Sequence, residues 1–255
     1  MKGIGFAPAA PLGAGYAAPT CRVTGGASSS RVDFDGFPLW AVTAVLAAGA
    51  TLEWDGAHGD EGLYITEGAL TVGGRACPAG GAVIVEAQAP ASVAAPEGAA
   101  VVHFGPHDAA VPGDGHYGPP APPPHTVHVV GPGGVYAAVE PGRDTRMFAD
   151  SSCPTCRITL FVTGRDEPYT SARHSHSADE ILYVLRGEVR FGSRRLGPGD
   201  AVGIAGGHRY GFRSGREGFA FLNYRRDASS QTTQGDIPRL EGGRARGLTF
   251  VNDVR

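Results

Sequence analysis

Residues 173–192 read RHSHSADEILYVLRGEVRFG. Two histidines, His174 and His176, stand one residue apart, and Glu180 follows four residues later, at the head of an apolar run with strand character. Side chains alternate faces along an extended chain, so His174 and His176 point the same way. Glu180 opens the next strand, with Leu182 and Val184 sharing its inward parity. Several buried polar groups without partners would cost about 2–7 kcal/mol for each neutral one and more for the carboxylate. A bound divalent metal removes that cost, and the bland alternative is a satisfied hydrogen-bond cluster.

The same pattern occurs twice. With a constant offset of 119 and no gap, Asp60-Glu61 falls on Asp179-Glu180, Leu63-Tyr64 on Leu182-Tyr183, and Ala82-Val83 on Ala201-Val202. Gly68, Gly73 and Gly80 fall on Gly187, Gly192 and Gly199. Glycines repeating in register with β-type residues mean two copies of one unit, because turns dictate where glycine is needed. LYITEGALTVGG and LYVLRGEVRFGS each read as strand, tight turn, strand, with further strands in residues 39–54 and 156–164. No segment offers a long amphipathic helix.

The bulk numbers agree with an all-β chain of two units. It has 255 residues, 42% hydrophobic and 18% charged, enough apolar material for real cores. Gly 40 and Pro 20 suit many turns and short strands. A formal charge of −3, with no basic arm or helix-turn-helix pattern, argues against nucleic acid or an acidic membrane as partner. No apolar run approaches the length of a membrane-spanning helix. Four cysteines do not make a disulfide scaffold, so the default expectation is the cytoplasm.

The second copy resembles the cupin superfamily. His174-Ser-His176, three residues, Glu180, six residues and Gly187 match that family's first motif without departure. LGPGDAVGIAGGHRYGFRS, residues 196–214, matches the second motif in length, but Ala205 takes the proline position and Tyr210 that of the histidine ligand. The likeness covers residues 155–225 well and, through the repeat, 35–105 weakly. It implies two tandem double-stranded β-helix (jelly-roll) barrels, a bicupin with its motif intact only in the second barrel, and a homodimer. The expected division is a flexible lead (1–19), an N-terminal barrel (20–105), a Pro/Gly-rich linker (106–126), a C-terminal barrel (127–227) and a polar tail (228–255) with a last strand in LTFVNDV.

The first copy has Asp55 and Ala57 in place of the histidines and Ala91 in place of Tyr210; Glu61 remains, and His58 is off register. That barrel is expected to be structural, or a dimer surface, and metal-free. In the second, His174, His176 and Glu180 are the expected ligands of one divalent transition metal per chain. Two imidazoles and a carboxylate favour Fe(II), with Zn, Mn, Ni and Co as alternatives. Tyr210 could ligate, stand beside the metal as a proton donor or acceptor, or fill volume. His208, on the same run and ranked below Tyr210, sits by register at the mouth, as a fourth ligand if the turn Gly206-Gly207 is distorted or as a second acid–base candidate. Arg186 shares Glu180's parity and is the candidate for gripping a substrate carboxylate. Cys153-Pro-Thr-Cys156 supplies only two zinc ligands and precedes a strand, so a free or locally bridged pair is the plainer reading. No role is assigned to His103, His107, His116, His125 and His128. The expected function is a metal-dependent enzyme acting on a small organic molecule, most concretely a non-haem Fe(II) dioxygenase. The alternatives are a redox-neutral isomerase, cyclase or lyase with the metal as Lewis acid, and a non-catalytic binding or sensor protein.

Overall fold

A computed structural model describes residues 3–109, 126–150, 153, 155–226, 229 and 231–233. Every regular element in it is a strand. The chain folds as two tandem jelly-roll barrels, and the repeat is visible in the boundaries. Strands Glu61–Val72 and Glu180–Phe191 correspond end to end at the offset of 119, as do Ala82–Val85 and Ala201–Ile204. Gly68 and Gly187 both adopt φ near +72°, where a side chain would be strained. A Cβ on either would also strike the carbonyl oxygen of Gly98 or Gly218 across the sheet.

Three apolar clusters organise the molecule. One fills the first barrel, with Trp40, Leu52, Leu63, Ile65 and Val93 at its centre. Another lines the second, where Leu182, Val184, Val202, Tyr210, Phe212 and Phe221 meet. The third is the seam between barrels, where Leu39, Ile84 and Phe104 pack on Ile158, Leu160, Tyr183, Leu222 and Tyr224. Phe104 stacks on Tyr224, ring centroids 5.4 Å apart. Polar groups tie the same seam: the Tyr224 hydroxyl donates to the Asp60 carbonyl, and the Arg157 amide donates to the Asp60 carboxylate. The first halves of strands Leu39–Leu46 and Glu180–Phe191 are thus buried on both faces, through Leu39, Ala41, Ile181 and Tyr183 on the seam side, which explains their locally continuous apolar character.

The expected division needs three corrections. The lead is not free chain: Ile4–Ala7 pairs antiparallel with Ala201–Ile204 of the second barrel, and Gly13–Ala14 pairs with Ser28 and Ser29. The chain also does not enter the second barrel at residue 127. Val127–Val130 first pairs with Ala82–Val85, covering an edge of the first. Finally, Gln231–Thr233, within the expected tail, pairs with His174–His176. The physical cause is common to all three. Each barrel has open edge strands whose backbone groups need partners, and short flanking segments supply them. Most of the linker, His116, His125 and the expected strand LTFVNDV lie outside the described residues.

Candidate functional site in the second barrel

The site is built by three strands. His174–His176 is an edge strand presenting both imidazoles to the barrel interior, with Ser175 between them on the other face. Glu180 begins Glu180–Phe191 and is fully buried. Arg213–Arg225 runs antiparallel to it, register pairing Glu180 with Arg225. Along this last strand Phe219, Phe221, Asn223 and Arg225 alternate onto the interior, so an aromatic floor gives way to an amide and a guanidinium at one end.

These groups close on the carboxylate. The Tyr210 hydroxyl donates to Glu180 Oε1 at 2.5 Å. Asn223 donates to Oε2 at 2.7 Å, and Arg225 reaches the same oxygen through Nε and Nη2 at 3.1 and 3.0 Å. Arg225 Nη2 also lies 3.2 Å from His176 Nε2, which accepts from it. This leaves the hydrogen on His176 Nδ1, a buried atom without a partner among the described residues. His174 is arranged differently. Its Nδ1 donates to the Ala172 carbonyl at 2.8 Å, which fixes the tautomer and leaves the Nε2 lone pair free.

The charge states follow. Burial opposes ionisation of Glu180, but His176, Arg225 and the hydrogen bonds from Tyr210 and Asn223 outweigh it and hold the carboxyl at about 2. Burial, and then the positive charge of Arg225, push His176 down to about 3 against the attraction of Glu180. Burial, and then the Glu180 charge, raise the Tyr210 phenol well above its ordinary value. At neutral pH the site holds a carboxylate, a neutral imidazole, a protonated phenol and a guanidinium.

Both depressed groups bind a proton more readily in the unfolded chain. His176 does so between about 3 and 6.5, and Glu180 between about 2 and 4.5. Stability therefore rises with pH across those ranges and is lost on acidification. Urea midpoints of chelator-treated protein are expected to fall steadily from pH 7 to pH 4. His176 contributes at most about 1.4 kcal/mol per pH unit, and His176→Gln should flatten the profile between pH 5 and 6.5. An unchanged slope in the variant would place the imidazole outside this charge balance.

Beyond the polar end lies a cavity of about 250 Å³. Phe161, Tyr169, Phe212, Phe219 and Phe221 give it apolar walls, and His174, His176, Tyr210, Asn223 and Arg225 stand at one side. Arg143 and Arg165 also line it, the latter with its guanidinium 4.3 Å from the Tyr169 ring centroid. This is the form of a small-molecule pocket: mostly apolar, with a few convergent polar groups.

Two of the expected participants are elsewhere. His208 is exposed, in a turn formed by Gly206 and Gly207, where its ring approaches Gly3. Residues 205–209 are a turn at 206–207 flanked by irregular chain, not strand, so the parity that joined His208 to Tyr210 does not exist there. Arg186 is also at the surface, paired with Asp166 at 2.7 Å. A β-bulge between Val184 and Arg186 breaks the alternation that linked it to Glu180. The arginine that reaches the site is Arg225, with Asn223 beside it. The signal for both was the polar pair continuing the inward parity of Phe219 and Phe221.

In the first barrel Glu61 occupies the position of Glu180 and is equally buried. Trp54 Nε1 donates to its Oε2 at 2.8 Å, and His103 Nε2 lies 2.8 Å from the same atom. His103, unassigned from sequence, is in turn bonded to the Tyr16 hydroxyl. His58 is buried with both ring nitrogens against backbone carbonyls, those of Gly59 and Ala89.

Comparison with solved structures supports the fold. Bacillus subtilis oxalate decarboxylase, in a structure whose title concerns its Mn(II) centres, superposes with a TM-score of 0.62 at 14% identity, covering 90% of this chain and 79% of that one. A structure of the same enzyme at pH 4.6 gives 0.58 at 16% identity, covering 85% and 76%. A Pseudomonas aeruginosa protein described as glyoxylate-induced gives 0.62 at 16% identity, covering 94% and 93%. At these identities the likeness is one of fold. No protein-family model and no curated protein matches the sequence.

Proposed function

We propose that the second barrel is the site of a metal-dependent cupin enzyme acting on a small organic acid. The observation that carries this is the convergence of His174, His176 and Tyr210 at the polar end of an aromatic-walled cavity of about 250 Å³, with Glu180 buried behind them and bonded to the Tyr210 hydroxyl. The donor set fits a divalent ion in kind. It comprises an imidazole in a ligand-ready tautomer, a second buried, neutral imidazole whose Nε2 lone pair is now taken by Arg225, and an ionised carboxylate. His174, His176 and Glu180 would hold the ion, which supplies Lewis acidity or, as iron, oxygen chemistry. Arg225 now neutralises Glu180, so guanidinium and ion are alternative counter-charges for one carboxylate. Freed from Glu180, Arg225 suits a substrate carboxylate as a two-pronged donor. Tyr210, kept protonated, suits proton donation to a group bound beside His174.

An Fe(II) dioxygenase is the most concrete version, because two imidazoles and one carboxylate leave open positions for oxygen and substrate. The test begins with chelator-stripped protein loaded with Fe(II) or Mn(II). The expected result is one ion per chain, lost in His174→Ala and His176→Ala. Small mono- and dicarboxylic acids should then raise the melting temperature of the loaded form. Oxygen uptake with iron supports the dioxygenase version, whereas turnover without oxygen on manganese or zinc moves the proposal to redox-neutral chemistry. Failure of any of these ions to bind would overturn the metal-dependent reading and leave a binding protein for small acids.

A further inference from the structure

A second group of donors lies at the junction of the barrels, away from the aromatic-walled cavity. Cys153 and Cys156 sit in the segment that feeds strand Thr159–Arg165 of the second barrel. His128 belongs to Val127–Val130, hydrogen-bonded to the first barrel, and Glu86 directly follows Ala82–Val85. The ligand atoms of His128, Cys153 and Cys156 all lie within 4.8 Å of one another. No other three His, Cys, Asp or Glu residues do so among the described residues. His128 Nε2 is 3.9 Å from Cys153 Sγ, near the separation of about 3.6 Å that nitrogen and sulfur keep on a tetrahedral zinc ion. Glu86 Oε1 is 2.6 Å from His128 Nε2 and also bonded by Thr155, while the Thr126 amide holds Oε2. The Cys156 amide is aimed at Cys153 Sγ at 3.2 Å, a contact that favours thiolate over thiol. In the structure the two sulfurs are bonded to each other.

We propose that the reduced form of this cluster is a structural zinc site, with Cys153, Cys156 and His128 as ligands and Glu86 as the fourth donor. Two thiolates, an imidazole and a carboxylate suit Zn(II) rather than Mn(II) or Mg(II). Four protein donors leave no open coordination position, which marks a structural rather than a catalytic ion. Reduction of the disulfide by an added phosphine supplies two electrons and takes up two protons. Zinc then displaces those two protons from the thiols. The ion would tie the end of strand Ala82–Val85 and strand Val127–Val130 to the entry of the second barrel. A disulfide bridges only residues of that entry segment and cannot make this link.

The experiment uses the whole chain, reduced with a phosphine, in a His174→Ala/His176→Ala background that removes the barrel site. Co(II) is the probe. One equivalent should give a thiolate-to-cobalt charge-transfer band in the near ultraviolet and the intense visible bands of tetrahedral cobalt. One equivalent of Zn(II) should bleach both. The bands should be absent from the same protein left oxidised and from Cys153→Ser. His128→Ala should weaken binding about tenfold or more, at least the cost of losing an outer-sphere partner. Circular dichroism checks that each variant is folded, and the reduced parent protein needs neither substitution at the cluster. Reduced, folded parent protein that shows no thiolate band with Co(II) overturns the proposal. So does a band that persists at full strength in Cys153→Ser. Neither outcome bears on the barrel metal, which this background lacks.

Discussion

Arg225→Ala should destabilise the metal-free protein by about 3–5 kcal/mol and, in the same variant, tighten its grip on Mn(II). The first effect follows from what is left behind. Glu180 is fully buried, and Arg225 is its only positive side chain at salt-bridge distance among the described residues. Removing one member of a buried ion pair strands the other, and the penalty is mainly that of the uncompensated charge. Tyr210 and Asn223 still donate to the carboxylate, so the expected response is partial neutralisation: the Glu180 carboxyl rises from about 2 toward its ordinary value. The second effect has the opposite sign because a guanidinium 3.0 Å from Oε2 repels any divalent ion seated on that oxygen. Losing that repulsion should raise Mn(II) affinity about tenfold or more. Mn(II) is the right probe, since the cysteine cluster has little use for so hard a cation. Urea denaturation with and without Mn(II) reads both effects: the ion should restore much of the stability lost by substitution. A variant that is destabilised yet binds Mn(II) no better than wild type would show that Glu180 is not a ligand.

Phe104→Ala is expected to cost about 3–5 kcal/mol, the range for truncating a fully buried phenylalanine. Its consequence should cross from one barrel to the other. Phe104 belongs to strand Ala99–Pro106 of the first barrel, but its ring stacks on Tyr224 and meets the edge of Tyr183, both in the second. Tyr224 lies between Asn223 and Arg225 and faces the seam while they face the cavity. The barrels should unfold together in wild type, with tryptophan fluorescence from Trp40 and Trp54 and far-ultraviolet dichroism giving one midpoint. In Phe104→Ala the common midpoint should fall, and the strand carrying Asn223 and Arg225 should exchange its amide hydrogens faster. Two separated transitions already present in wild type would mean that the seam does not couple the barrels.

The barrel architecture was readable because the repeat is registered by glycine. Gly68 and Gly187, Gly73 and Gly192, and Gly80 and Gly199 all require positive φ, and a conformational requirement of that kind leaves a mark at the residue itself. The inward face of Glu180–Phe191 was readable for a similar reason: Leu182 and Val184 keep strict alternation with Glu180 up to the bulge. The failures begin where alternation stops. Arg186 stands one step past a bulge that no residue type marks. His208 follows a turn that Gly207, at φ +77°, does mark, but the strand-like alternation of His208, Tyr210 and Phe212 reads through it.

From sequence alone, this chain is two copies of one β-barrel, and the second carries two imidazoles and a carboxylate at fixed spacing along adjoining strands. Those are local properties, set by side-chain alternation and by the backbone angles that turns impose. What the tertiary structure decided is which distant groups meet them. It brought Arg225 from 45 residues away onto Glu180, and Glu86 from 69 residues away to Thr155 beside Cys153. It joined the lead to the second barrel and strand Val127–Val130 to the first. Such meetings depend on strand order and on which edges lie open, and these arise from the packing of the whole chain rather than from any stretch of it.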